Sequence, residues 1–306
     1  MIIRQGAFEG GKKMLRGNLH CHTTRSDGKG KPDAVCRQYA MMGYDFLALT
    51  DHRVYNCENF APETDLLIIP GMELDISIPE ARVHCAHVVA VGPTENNGFS
   101  HDQQIEKFAQ IQCIGQAQVL IDMVHEANNL PIVCHPEWSG TGASELEEMK
   151  DYSLMEIWNS GCVLENRLDM NAAYWDELLC HGRKIFGVAT DDGHAVHQHG
   201  LGYIRVNAEK NAASVLEALK KGAFYASCGP EIYDFFVEDG KATVVCSPVR
   251  EILFRHFRMP YKVIVGRDIQ SGQVDVMPRT NYIRAEVIDE QGRKAWTNPI
   301  FLDWEE

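Results

Sequence analysis

Basic residues are scarce in this chain, and long apolar runs and closely paired cysteines are missing altogether. Only 29 lysines and arginines stand against 43 aspartates and glutamates, a formal charge of −14 over 306 residues. So acidic a balance argues against a nucleic-acid groove, which works by neutralising phosphates. No apolar stretch reaches the roughly 18 residues that a membrane span needs, and Met1 to Leu15 carries no hydrophobic signal-peptide core. The ten cysteines, scattered from Cys21 to Cys246, include no C-x-x-C pair. That usage argues against a structural zinc knot or a disulfide framework and fits reduced, mostly buried thiols. The expected compartment is the cytoplasm. Internal repeats and low-complexity segments are also lacking, which removes solenoids from consideration.

What the chain does have is length and alternation. With 45% hydrophobic residues it can bury a large core in one big domain, or one big and one small. Short apolar runs read as strands at Met14 to His20, Asp45 to Thr50, Leu66 to Pro70, His87 to Val91, Pro131 to Cys134, Leu154 to Trp158 and Ile185 to Thr190. Helical stretches lie between many of them. One follows Lys31-Pro32-Asp33, with Val35, Tyr39 and Met42 at helical spacing and Gly43 as its stop. Asp102 to Asn128 is the longest helical candidate. Such alternation points to a parallel sheet or barrel. After Cys228-Gly229-Pro230 the texture changes to short strands at Phe235 to Val237, Ala242 to Cys246, Tyr261 to Val265 and Tyr282 to Val287. Glu238-Asp239-Gly240, Gly266-Arg267-Asp268 and Glu290-Gln291-Gly292 read as the turns between them. The expectation is a domain over residues 1–228 and a small sandwich-like β domain over 229–306, about 75 residues long, serving as packing or as a dimer contact.

The chemistry gathers at the strand ends. In Gly17-Asn18-Leu19-His20-Cys21-His22-Thr23-Thr24-Arg25-Ser26-Asp27-Gly28, alternation along an extended chain sends His20 and His22 to one side and Cys21 to the other, so both imidazoles can hold one cation. Further polar residues stand just past apolar runs: Thr50-Asp51-His52, Gly71-Met72-Glu73, Cys134-His135-Pro136 and Asp191-Asp192-Gly193-His194. Any one of these alone reads as a hydrogen-bonded structural residue, and Asp27 in Ser26-Asp27-Gly28 is also good turn chemistry. Convergence of four such ends with the His20/His22 pair is what a site at the C-terminal face of a barrel looks like. His87 opens an apolar strand and is preferred to its competitor His84, three residues earlier.

The ordered set H-x-H-x4-D, T-D-H, G-x-E, a histidine before an apolar strand, C-H-P and D-x-H resembles the PHP (polymerase and histidinol phosphatase) superfamily of metal-dependent phosphoesterases. With Ala295-Trp296-Thr297-Asn298-Pro299-Ile300 near the end, it most resembles the CehA/McbA-like metallohydrolase branch. The resemblance covers about residues 14 to 228 and implies a distorted seven-stranded (β/α)7 barrel of α/β class. It also implies two or three divalent metals held by His20, His22, Asp27, His52, Glu73, His87, His135, Asp192 and His194. In the three-metal arrangement His20, His22, Glu73 and Asp192 hold one ion. Glu73 is shared with a second that His87 and His135 complete, and Asp27, His52 and His194 hold the third. The insertion at Pro79-Glu80-Ala81-Arg82 departs from the family's shorter loops.

Imidazole and carboxylate donors without thiolate suit Mn, Fe, Zn or Co, with geometry and availability selecting among them. A hydroxide bridging two ions is the expected nucleophile, and a third cation with a neighbouring arginine would stabilise the charge built during in-line attack on a phosphoester. A small anionic ester is compatible with the acidic chain because bound cations invert the local field. Asp191, His197 and His199 are the candidates for protonating the leaving group, with His197 and His199 reading equally well as exposed loop residues. Arg25 and Arg53 are candidates for holding an anionic group, or are solvated loop charges. Trp138, Trp158 and Tyr203 are candidates for the pocket lining or for core packing. The expected activity is hydrolysis of a small phosphate mono- or diester. Carboxylic or carbamic ester hydrolysis, or a non-catalytic metal-binding regulatory role, are the alternatives.

Overall fold

A computed structural model describes residues 2–11, 13–79 and 85–302, so His84 and residues 80–82 of the insertion lie outside the described residues. In chain order the strands are β1 (Ile2–Arg4), β2 (Leu15–Asn18), β3 (Phe46–Leu47), β4 (Leu67–Ile68), β5 (Gly71–Ser77), β6 (Cys85–Val91), β7 (Leu130–Val133), β8 (Leu154–Asn159) and β9 (Phe186–Thr190). They continue as β10 (Tyr203–Val206), β11 (Phe224–Ser227), β12 (Ile232–Glu238), β13 (Lys241–Arg255), β14 (Lys262–Asp275), β15 (Tyr282–Ile288), β16 (Lys294–Thr297) and β17 (Ile300–Phe301). The α-helices are α1 (Pro32–Met41), α2 (Gln118–Glu126), α3 (Ala143–Leu146), α4 (Ser160–Asn166), α5 (Asn171–Cys180) and α6 (Ala212–Lys220).

These strands do not close into a barrel. They form two sheets, one ordered β5-β6-β7-β8-β9 and one ordered β1-β12-β13-β15-β16-β11-β10-β2-β3-β4, with β14 added to β13 and β17 to β15. The sheets meet at isolated bridges, among them Cys21 to Gly193 and His52 to Glu73. Pairing is parallel among β2, β3 and β4 and among β7, β8 and β9. It is antiparallel where β6 joins β5 and β7. The expected alternation therefore holds only in part.

Local sequence accounts for the better-placed elements. Helix α1 has Pro32 in its first turn and Asp33 beside it, buries Val35, Cys36 and Tyr39, and is followed by Gly43 at φ +75°, a left-handed position that glycine takes without a Cβ clash. The long helix expected over Asp102 to Asn128 shrinks to α2 and a short 3-10 turn at Ile114–Ala117. Residues ahead of it spend their backbone groups elsewhere: Ile105 N–H donates to the Arg53 carbonyl, and Ile111 N–H to that of Ser77. Tertiary pairing overrides the helical composition there.

The tail is rich in sheet and has its own apolar core, including Phe235, Val244, Ile252, Phe254, Ala285 and Val287. Its ladder nevertheless continues into the first part of the chain, because β16 pairs with β11. Glu238-Asp239-Gly240 forms the turn of a hairpin, with Asp239 and Gly240 both at positive φ. Gly266-Arg267-Asp268 is not a turn; it lies inside β14, where the register against β13 shifts. None of the described helices is long and apolar enough to cross a membrane.

Candidate metal centre

The two sheets are stitched together where the histidines lie. Asp192 N–H donates to the His20 carbonyl at 2.9 Å and His22 N–H to the Gly193 carbonyl at 3.1 Å, fixing the end of β2 against the end of β9. The loop after His22 is wrapped on the buried Asp51 carboxylate, which accepts from Thr23 N (2.7 Å), Thr23 Oγ1 (2.8 Å), Ser26 N (3.1 Å) and Ser26 Oγ (2.8 Å). Gly28 is required in this loop, since a Cβ there would sit 2.5 Å from the His22 carbonyl carbon. His135 and Asp192 take positive φ values of 27° and 48°, sparsely populated backbone that helps aim their side chains.

All nine expected ligands converge. His20 Nε2 and His22 Nε2 are 3.2 Å apart, and both lie close to Asp192 Oδ1, at 3.2 and 3.1 Å. Glu73 stands at the centre. Its Oε1 is 2.9 Å from His87 Nδ1 and 3.3 Å from both His20 Nε2 and His135 Nε2, while its Oε2 is 3.0 Å from His52 Nδ1 and 3.3 Å from His22 Nε2. On the outer side Asp27 lies 3.4 Å from His194 Nε2 and 3.7 Å from His52 Nε2. Donor atoms fall into groups compact enough for a cation: His20, His22 and Glu73; His52, Glu73 and His87; and His22, Asp27, His52 and His194.

Electrostatics bind the cluster together. Burial by itself would lower His20, yet the carboxylates of Asp192, Glu73 and Glu156 hold it well above the ordinary imidazole value. Burial is likewise outweighed at His22, which Asp192 and Glu73 raise, and at His52, which Glu73 and Asp75 push up to about 10. Glu73, which burial would raise, is held well below the carboxylate range by His87, His20 and His52. Asp192 is held down by His20 and His22 against the same opposing burial, and Asp27 is lowered chiefly by its hydrogen bond with His194. Glu73 Oε2, Asp192 Oδ1 and His52 Nδ1 are buried without a hydrogen-bond partner. Orphaned donor-atom positions of this kind, facing one another, fit divalent cations.

A cleft of about 370 Å³ opens over the cluster, lined by Asp27, His52, Glu73, His87, His135, Asp192 and His194 together with Lys29, Trp138, Glu165 and neighbouring α4 residues. Trp138 is 42% exposed and packs edge-on against His87 and His135, with ring centroids 5.5 and 5.1 Å away. Trp158 instead packs on Trp296 at 5.9 Å, and Tyr203 is buried with its hydroxyl donating to the Gly229 carbonyl.

Other candidates sit away from the cleft. Asp191 is fully buried and saturated, accepting from Asn18, Tyr39 and the amides of Gly200, Leu201 and Gly202; it ties the loop after Asp192 to α1. His199 is lowered by burial, contacts Gln38 Oε1 at 2.8 Å and lies against Tyr39. His197 is exposed on a surface turn. Arg25 is engaged by Asn56 and Asp102, and Arg53 by Asp75. These five residues lie outside the cleft lining: four are held by partners that spacing along the chain does not reveal, and His197 faces solvent.

One buried carboxylate was missed by sequence reasoning. Glu156, in the middle of β8, lies 2.7 Å from His20 Nδ1. A glutamate interrupting the apolar run Leu154 to Trp158 was the signal available.

A family model for the PHP domain matches residues 18–225, more than half of the chain. The chain belongs to the PHP domain family. No protein of curated function matches it. Among solved structures it is similar to a two-domain protein from Bacteroides vulgatus described as containing a predicted PHP-like metal-dependent phosphoesterase. That likeness has a TM-score of 0.50 and 16% identity, over 94% of this chain and 95% of the other. It is also similar to an amidohydrolase from Chromobacterium violaceum with bound sulfate and no metal (TM-score 0.40, 15% identity, 59% of this chain and 88% of that one). PHP membership, joined to a histidine and carboxylate cluster of this composition, supports a hydrolase acting on ester bonds.

Proposed function

We propose that this PHP protein is a metal-dependent hydrolase of small phosphate mono- or diesters, of the CehA/McbA-like branch, working in the cytoplasm with two or three divalent ions. The ten free thiols support a reducing compartment. The observation that carries the catalytic reading is the pair of orphaned carboxylate oxygens, Glu73 Oε2 and Asp192 Oδ1, buried among imidazole nitrogens. Crowded against imidazole nitrogens with no hydrogen bond of their own, these oxygens are placed as the ligands of a cation would be.

Divalent ions held there would activate water and polarise the phosphoryl oxygens. The chain's own residues would divide the remaining work. His20, His22 and Asp192 would hold one ion; His87 and His135, with Glu73 shared, a second; and Asp27, His52 and His194 a third on the more exposed side. Lys29, on the cleft wall and exposed, offers a positive charge to an anionic substrate. The half-open ring of Trp138 gives the organic part of the ester an apolar wall beside the ions.

Elemental analysis of the purified protein, with a screen of phosphomonoesters, phosphodiesters and aryl esters in Mn-supplemented buffer, tests the reading. About two to three equivalents of metal with turnover of a phosphate ester is expected, and Glu73→Gln and Asp192→Asn should lose both metal and turnover. Turnover of carboxylic or carbamic esters alone would move the reaction to a carbonyl carbon. Less than about one equivalent without reconstitution or turnover would refute the site, as would variants that lose metal yet keep full activity.

A further inference from the structure

Strand β8 contributes none of the nine expected ligands, yet its Glu156 reaches the framework directly behind them. The side chain is fully buried, and each carboxylate oxygen is used twice. Oε1 meets His20 Nδ1 at 2.7 Å and accepts from Thr190 Oγ1 at 2.6 Å; Oε2 accepts from the His135 amide at 2.8 Å and from Asn159 Nδ2 at 2.9 Å. Four contacts fill the acceptor sites of a carboxylate. His20 and Cys134 lie close enough to Glu156 for the three to grip a cation, but a carboxylate already saturated has no lone pair left to give one.

The same network continues outward. Asn159 Nδ2 also donates to Asp192 Oδ2 at 3.1 Å, and its Oδ1 accepts from Cys162 N–H, capping α4. Glu156 is thereby tied to the ends of β2, β7 and β9, three of the segments that bring ligands to the cluster. It does not line the cleft, so it reaches substrate only through these neighbours.

We propose that Glu156 is a positioning residue: it holds the His20 proton on Nδ1, so that Nε2 is presented to the His22, Glu73 and Asp192 group, and it locks the His135 and Asp192 segments in register. This rests on the reading that the group holds a cation. A carboxylate behind a ligating imidazole fixes its tautomer and raises its basicity, and loss of such a partner costs about 10- to 100-fold in metal affinity. Because Glu156 makes no direct contact with Asp27, His52 or His194, its influence falls chiefly on the inner ions.

The test is titration of the metal-stripped full-length protein with Mn(II) alone, counting free and bound ion by electron paramagnetic resonance. Glu156→Gln keeps the volume but sets an amide against His20. It should weaken the inner equivalents about 10- to 100-fold and change their spectrum, leaving the outer Asp27–His52–His194 equivalent as in the wild type. Thr190→Val, which removes one hydrogen bond and keeps the carboxylate, should give a smaller loss at the same equivalents and covers the case in which Glu156→Gln does not fold. Wild-type affinity and spectrum in the folded variants, or parallel weakening of every equivalent, would overturn the proposal. A wild-type protein that binds no Mn(II) would overturn the metal-site reading as well.

Discussion

Metal binding to the stripped protein should tighten steeply between about pH 7 and pH 8, and the cluster's electrostatics set the steepness. His20, His22 and His52 are all raised by the carboxylates around them, His52 to about 10. At about 10, His52 carries an extra proton at neutral pH in the metal-free protein, and that proton must leave before the nitrogen can bind a cation. For every proton displaced, apparent affinity rises about tenfold per pH unit, about 1.4 kcal/mol. His52 alone therefore gives about tenfold per pH unit, the slope expected over loading of the ion it holds. Calorimetric titration in buffers of different ionisation heat counts the protons directly. At least about one should be released at pH 7.5 over complete loading. A heat independent of buffer, with an affinity flat across the interval, would refute the claim that the carboxylates keep the His52 imidazole charged.

The metal-free fold should lose stability at both ends of the pH scale. His52, raised from 6.5 to about 10, contributes stability that is complete below its unfolded value and lost as pH climbs towards 10; Glu73 and Asp192, held low, contribute stability that is lost as pH falls below the ordinary carboxylate range. Thermal melts of stripped protein across pH check both limbs. Arg284→Met should destabilise by about 3 to 5 kcal/mol in urea titrations, because it leaves Asp176, which receives two 2.7 Å bonds from that guanidinium, buried with only the more distant Arg255. Trp138→Ala should raise KM for a phosphate ester up to about tenfold with metal content unchanged; an unaltered KM would remove Trp138 from the substrate wall.

How much of this was visible in the sequence varied with the type of signal. The paired histidines and the polar residues after apolar runs were legible because strand ends are where a packed core stops dictating side-chain chemistry. The course of the strand carrying Glu73 was harder to read. Gly71–Ser77 alternates Met72, Leu74 and Ile76 with Glu73 and Asp75, yet the apolar run just before it drew attention, and only Leu67–Ile68 of that run pairs as β4. Antiparallel pairing of β5 with β6 then puts His87 near the start of its strand, level with the C-terminal ends of its neighbours. Asp191 shows the opposite failure. Beside Asp192 in sequence, it is claimed by donors from β2, α1 and the loop after His199, and nothing local announces that capture.

The tail's ladder has a practical consequence for anyone trimming the chain. Between the tail and the strand leading to His20 and His22 lie three pairings in succession, β16 with β11, β11 with β10 and β10 with β2. A cut at Cys228, where the sequence texture changes, would fall through a continuous sheet. It would leave β11 with a raw hydrogen-bonding edge, strip Trp296 from Trp158, and remove the Asn298 side chain that accepts from Gly187 on β9. Such an edge invites aggregation. The shorter protein would expose, two strands from its candidate metal ligands, a surface primed to pair with other copies of itself.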